Sequence, residues 1–225
     1  MIKCTPSAYA TANKFFSLSS FSFGGFRLSS RRAAIILIAL ILFLSCAGCN
    51  GKLSRKTYIK WVRDYENNAH VRTTHAGFIF DLQFQPSEYI LLQRGIENYT
   101  DSIRVGELKT LSATQYYTLT ISREDKMDLI SYGTNTLPEK EENQYYFSYR
   151  FQNDITLEEK GRILPCVLYH GEKPAVSGGG RTFVLGFENP EKNSTKAEII
   201  IRSDMFGSSP VKIAISKLNI PPVDL

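Results

Sequence analysis

Apolar and polar positions alternate along much of the chain. Phe78, Phe80, Leu82 and Phe84 are separated by Ile79, Asp81 and Gln83, and Tyr117, Leu119 and Ile121 by Thr118 and Thr120. The same period runs through Phe183, Leu185 and Phe187, through Ala197, Ile199 and Ile201, and through Val211, Ile213 and Ile215. Tyr145, Phe147, Tyr149 and Phe151 alternate with Tyr146, Ser148 and Arg150. Successive strand side chains point to opposite faces, so a period of two gathers the larger apolar set on one face. Each run therefore predicts a half-buried strand. Residues 163–169 are a further candidate, and Pro165, which has no N–H to donate, places it at an edge or a bulge. Gly106, Pro138, Asn153-Asp154, Gly161, Gly178-Gly179-Gly180, Asn189-Pro190 and residues 207–210 supply turn chemistry between the runs. Many short strands with one apolar face each must bury those faces together. The expected fold is mainly β, an antiparallel sandwich of about seven or more strands.

One or two short helices interrupt the pattern. Leu53, Thr57, Trp61 and Tyr65 recur every four residues behind Ser54, a capping residue. Residues 123–132 carry Met127, Ile130 and Ser131 on one side and end before Gly133, which predicts a second helix. Ser87–Gln93 fits a helix or a strand. The prolines of residues 220–225 predict an extended tail.

The N-terminal part reads differently. Residues 33–44 form an uninterrupted apolar run, with Arg31-Arg32 before it and Ser45-Cys46-Ala47-Gly48-Cys49 after it. A basic start, a short apolar stretch and a small-residue exit are the three parts of a secretory signal. A spanning helix needs about 20 apolar residues, more than this run provides. Residues 1–48 are thus expected to be a signal peptide and residues 49–225 a single β-rich domain. Ala47-Gly48-Cys49 resembles the lipobox of bacterial lipoproteins, in which small residues precede a cysteine that receives diacylglycerol. The resemblance implies cleavage before Cys49 and acylation there, although Cys46 stands where that family usually has leucine. Cys46 is the alternative lipid site, with bulky Leu44 where a small residue is preferred. Several acyl chains, each methylene contributing roughly 0.8 kcal/mol, make an effectively permanent anchor. Asn50 is not the aspartate that retains such lipoproteins at the inner membrane. The implied location is a bacterial cell envelope, with the outer membrane favoured and the body facing the periplasm. The body also resembles uncharacterised Bacteroidota envelope lipoproteins.

Charge agrees with this division. The net charge of +5 comes from 27 Lys+Arg against 22 Asp+Glu. Five of the basic residues (Lys3, Lys14, Arg27, Arg31, Arg32) and no acidic residue lie in 1–48, leaving 27 − 5 = 22 basic and 22 acidic residues beyond. A neutral body gives no general attraction to phosphate, so nucleic acid is not an expected partner. The partners expected are the membrane, through the lipid, and an envelope protein or glycan.

Candidate chemistry is sparse. His70 and His75 are five apart and are weak metal candidates, since a zinc site needs three or four converging ligands. The glycine run 178–180 lacks the lysine of a phosphate loop, and no Gly-x-Ser-x-Gly elbow occurs. Glu139, Glu141 and Glu142 surround Lys140 as a solvated loop would. Cys166 is the one cysteine outside the first 49 residues, so no disulfide is expected within the body. No cofactor is implied. Asn98-Tyr99-Thr100 and Asn193-Ser194-Thr195 match a eukaryotic glycan acceptor, and Asp101-Ser102-Ile103 resembles a Bacteroidota O-glycosylation motif. Tyr116, Tyr146 and Ile79 fall on the polar faces of their runs. They are expected either to form a surface for a sugar or partner protein, or to lie under a second layer. The sequence therefore points to a non-catalytic interaction or assembly module. A carbohydrate-binding or carbohydrate-processing protein using exposed tyrosines is the alternative.

Overall fold

The computed structural model describes residues 51–95, 99–172, 179–190 and 194–225. The apolar run 33–44, Cys46, Cys49, Asn98, Gly178 and Asn193 lie outside them.

The body is mainly β. In chain order it contains α1 (Arg55–Arg63), β1 (His70–His75), β2 (Phe78–Gln85), α2 (Ser87–Gln93), α3 (Asp101–Leu111), β3 (Thr114–Arg123) and α4 (Leu137–Tyr145). There follow β4 (Ile155–Glu159), β5 (Arg162–Pro165), β6 (Leu168–Gly171), β7 (Arg181–Glu188), β8 (Lys196–Ile201) and β9 (Val211–Ser216). A five-stranded sheet has the order β1-β2-β3-β7-β6, and a four-stranded sheet the order β5-β4-β8-β9. Every pairing within them is antiparallel. The chain changes sheets at β3→β4, β5→β6 and β7→β8.

The alternating runs account for the core. Phe78, Phe80, Leu82, Tyr117, Leu119, Ile121, Phe183, Leu185 and Phe187 line the inner face of the larger sheet. Ile155, Leu157, Ile199, Ile201, Val211, Ile213 and Ile215 line that of the smaller one. All are buried in a single cluster, as two packed sheets require.

Three expectations need correction. Residues 145–151 are not a strand. Thr136 and Glu139 form a reciprocal capping box with Pro138 in the first turn, starting α4, and the chain continues as a π-turn (Tyr146–Arg150) and a 3-10 turn (Phe151–Asp154). At helical spacing, Phe147 and Phe151 share the buried face, whereas Tyr145 and Tyr149 are exposed, their rings tilted against one another with centroids 5.2 Å apart. A period of two would have put all four on one side. Residues 123–132 are not an α-helix. The Asp125 carboxylate accepts from Met127 N–H and pairs with Arg123, Lys126 takes a positive φ of 62°, and only Leu129–Ser131 forms a 3-10 turn. Gly106 is not a turn but an interior residue of α3, a helix the sequence reading missed.

Other expectations are refined. Ser54 caps α1 as expected, its hydroxyl accepting from Thr57 N–H. Ser87–Gln93 resolves as helix. Residues 163–169 split at Pro165 into β5 and β6, which belong to different sheets. The helices number four among the described residues, rather than one or two.

Candidate functional site

Several inward-facing rows end in polar residues at one end of the sandwich. Ile155 and Leu157 are followed in phase by Glu159; Val211, Ile213 and Ile215 by Lys217; and Ile121, Leu119 and Tyr117 run back to Gln115. Glu159 and Gln115 are 2% exposed. The Lys217 ammonium donates to Glu159 Oε1 and, at 2.9 Å, to Gln115 Oε1. Gln115 Nε2 donates to Glu159 Oε2 at 2.9 Å, and the Tyr117 hydroxyl donates to Gln115 Oε1 at 3.0 Å. Lys217 also lies 5.7 Å from the centre of the Phe84 ring. Burial alone would raise the Glu159 pKa, but hydrogen bonds from Lys217, Ser194 and Gln115, with the lysine charge, hold it below the usual carboxylate range. Burial, and then the charge of Glu159, push the Tyr117 phenol upward.

Gln115 and Lys217 of this layer line a cleft of ≈ 520 Å³. Phe84, Pro86 and Glu88, Ser112 and Thr114, and Ile220, Pro221, Pro222 and Val223 of the tail also line it. The tail is held in place by pairing with the start of the body. Leu53 N–H donates to Pro222 O at 2.8 Å, and Asp224 N–H donates to Leu53 O at 3.0 Å. Tyr58 of α1 also lines the cleft. It is 1% exposed, and its hydroxyl is the buried side-chain polar atom left without a partner among the described residues. The polar atoms of Lys217, Glu159 and Gln115 thus satisfy one another.

A second polar cluster lies on the outer face of β1 and β2. Asp81 accepts from His70 Nε2 at 2.5 Å, from the Tyr65 hydroxyl at 2.6 Å and from Arg72 Nε at 2.9 Å. His70 Nδ1 contacts the Arg63 carbonyl at 2.8 Å, and its ring stacks on Tyr65 at 3.9 Å. Burial would lower the His70 pKa, yet the bonds to Asp81 and Arg63 and the carboxylate charge raise it above its ordinary value. Burial opposes ionisation of Asp81, but hydrogen bonds from His70, Tyr65 and Arg72 bring its pKa down to about 2. The cluster staples the end of α1 to the larger sheet.

The residues singled out in the sequence do not converge. His70 and His75 occupy one strand at an odd separation, so they face opposite ways, and both ring nitrogens of His70 are engaged. Tyr116 lies beneath α2 and α3, packed with Leu91, Leu111 and Leu108. Tyr146 is in the π-turn, packed against the main core, with its hydroxyl donating to Asp154 at 2.5 Å. Ile79 is half-buried on β2. Tyr116, Tyr146 and Ile79 therefore make no common platform. Glu139 serves the capping box, while Glu141 and Glu142 are exposed. Burial pushes the Cys166 thiol up to about 11, which disfavours a reactive thiolate. Gln115, Glu159 and Lys217 belong to no motif in the sequence. Their signal was their phase, since each is a polar residue at an inward position of an apolar row.

No family model matches this chain, and no curated protein matches it. One solved structure that matches is a DUF4426 family protein from Pseudomonas aeruginosa, 8% identical, covering 66% of this chain and 93% of that one with a TM-score of 0.31. Such a likeness carries no argument about function.

Proposed function

We propose that the protein is a lipid-anchored module of a bacterial cell envelope, exported by residues 1–48, acylated at Cys49 and non-catalytic. The observation that carries this reading is the sequence of residues 31–49, where a basic pair, an apolar run and Ala47-Gly48-Cys49 follow in order. Leu53, four residues beyond Cys49, is already paired with Val223, and four extended residues reach at most about 14 Å. An anchor at Cys49 would hold the Leu53–Val223 end of the domain close to the bilayer. Among the described residues no helix is long and apolar enough to cross a membrane. The outer membrane, with the body facing the periplasm, is the proposed location, and an envelope component is the proposed partner.

Metabolic labelling with a palmitate analogue tests the anchor. The wild-type chain and Cys46→Ala should incorporate label, and Cys49→Ala should not. Mass spectrometry of the mature protein should find an acylated Cys49 at its start. An unlabelled protein that keeps residues 1–48 would overturn the proposal.

A further inference from the structure

We infer that the basic face of α1 lies against anionic phospholipid headgroups of the bilayer that holds the chain. The inference rests on the membrane-anchored reading and deepens it, by naming the surface of the body that meets the membrane.

The neutral total of the body hides a division of charge. Lys52, Arg55, Lys56, Lys60 and Arg63 place five basic residues and no acidic one in positions 49–63. Positions 64–225 keep 22 − 5 = 17 basic residues against 22 acidic ones. The segment next to Cys49 is therefore strongly positive, and the rest of the body carries the opposite net charge. A negative surface orients such a molecule, drawing the first part in and holding the second away.

The fold presents the positive charges together. One side of α1 is buried against the body: Tyr58 and Val62 are 1% and 0% exposed and cluster with Tyr89 of α2 and Val223 of the tail. Lys56, Lys60 and Arg63 recur at i, i+4 and i+7, so they share the other side. All three are exposed, as are Lys52 and Arg55. Lys52, Lys56 and Lys60 enter no ion pair among the described residues. The acidic groups nearby are engaged elsewhere in the fold: Asp64 accepts from Glu66 N–H, Glu88 faces Tyr58, and Asp224 donates its N–H to Leu53 O.

The start of the chain fixes which surface these charges meet. Leu53 is bonded to Pro222 and Asp224, and α1 begins two residues later, six beyond Cys49. Six extended residues reach at most about 21 Å, so the helix stays beside the anchor. Near an anionic surface each lysine or arginine favours the bound state by roughly fivefold. A zwitterionic headgroup has no net charge and gives no such gain.

The test is lysine footprinting of the membrane-extracted full chain. The protein is reconstituted into vesicles of phosphatidylcholine, or of an equal mixture of phosphatidylcholine and phosphatidylglycerol. A water-soluble acetylating reagent is added, and mass spectrometry reads each lysine. Lys126 and Lys140, both exposed and distant in sequence, serve as references in the same molecules. Acetylation of Lys56 and Lys60 relative to them should fall by roughly fivefold or more on the mixed vesicles. It should recover in about 1 M salt, where the Debye length is ~3 Å. In Lys52→Glu/Lys56→Glu, acetylation of Lys60 should return to its value on phosphatidylcholine. Glutamate in the first turn of a helix is favoured by the helix dipole, so misfolding would not explain that return. The inference is overturned by equal acetylation of Lys60 on both vesicles, by protection that survives high salt, or by protection retained in the double variant. Protection in native membranes but not on mixed vesicles would also overturn it, in favour of an acidic envelope protein. A palmitate-labelled chain with unprotected Lys60 would sink this inference alone, whereas an unlabelled chain with Lys60 protected would sink only the acylation at Cys49.

Discussion

The Glu159 carboxylate and the Lys217 ammonium meet where their side chains are 1% and 7% exposed. One closes β4 and the other follows β9, so the pair ties two strands of the smaller sheet. Removing one partner leaves the other charged and buried. Lys217→Met should cost about 3–5 kcal/mol in urea unfolding, whereas Glu159→Met/Lys217→Met should recover most of that loss. The depressed Glu159 pKa also fixes a pH dependence. Its stabilisation is present above the unfolded carboxylate value, about 4.3, and disappears as pH falls through the lower folded value. The double variant should therefore melt with a shallower acid limb.

The Asp81 cluster should give stability with two limbs. Asp81 is lowered to about 2, so its contribution is held above about pH 4 and lost as pH falls toward 2. His70 is raised, so its contribution is full below about pH 6.5 and lost as pH rises through the folded value. Melting temperature against pH should peak between these limits. His70→Gln should flatten the alkaline limb.

The helical state of residues 145–151 can be tested by substitution. Phe151 is fully buried and touches the rings of Phe183 and Phe206 at 5.4 and 5.9 Å, whereas Tyr149 is 65% exposed. Phe151→Ala should destabilise by about 3–5 kcal/mol, while Tyr149→Ser should stay within about 0.5 kcal/mol of wild type. Comparable losses from both would favour the strand.

Two substitutions should stabilise the fold. Gly106 sits within α3, and a β-carbon there meets nothing within 4 Å, so Gly106→Ala should gain about 0.5–1 kcal/mol. Ala76 and Gly77 join β1 to β2 with φ of 49° and 79°, the geometry of a turn that prefers Asn-Gly. Ala76→Asn should raise the melting temperature, because asparagine tolerates that conformation better than alanine.

Gly186 should tolerate no side chain. A β-carbon there would lie 2.8 Å from Leu168 Cβ and 3.1 Å from Thr114 Cγ2, on the strand that joins β3 to β6. Gly186→Ala should cost about 1–3 kcal/mol by forcing those strands apart. Chemical denaturation would measure it.

The sequence by itself determined the two-layered β core. A period of two is a local property of strand geometry, and burying one face of each strand follows from the hydrophobic effect. The cap at Ser54 was legible for the same reason, because it depends on neighbours in the chain. Phe147 and Phe151 show where the pattern runs out. Their spacing fits a strand and a helix alike, and the capping box at Thr136 and Glu139 decided between them. The cleft was decided only by tertiary structure. Gln115, Glu159 and Lys217 come from rows far apart in sequence, and each alone is a polar residue at the end of an apolar run. Only packing of the two sheets brings the three row ends together, and burial then requires their polar atoms to satisfy one another.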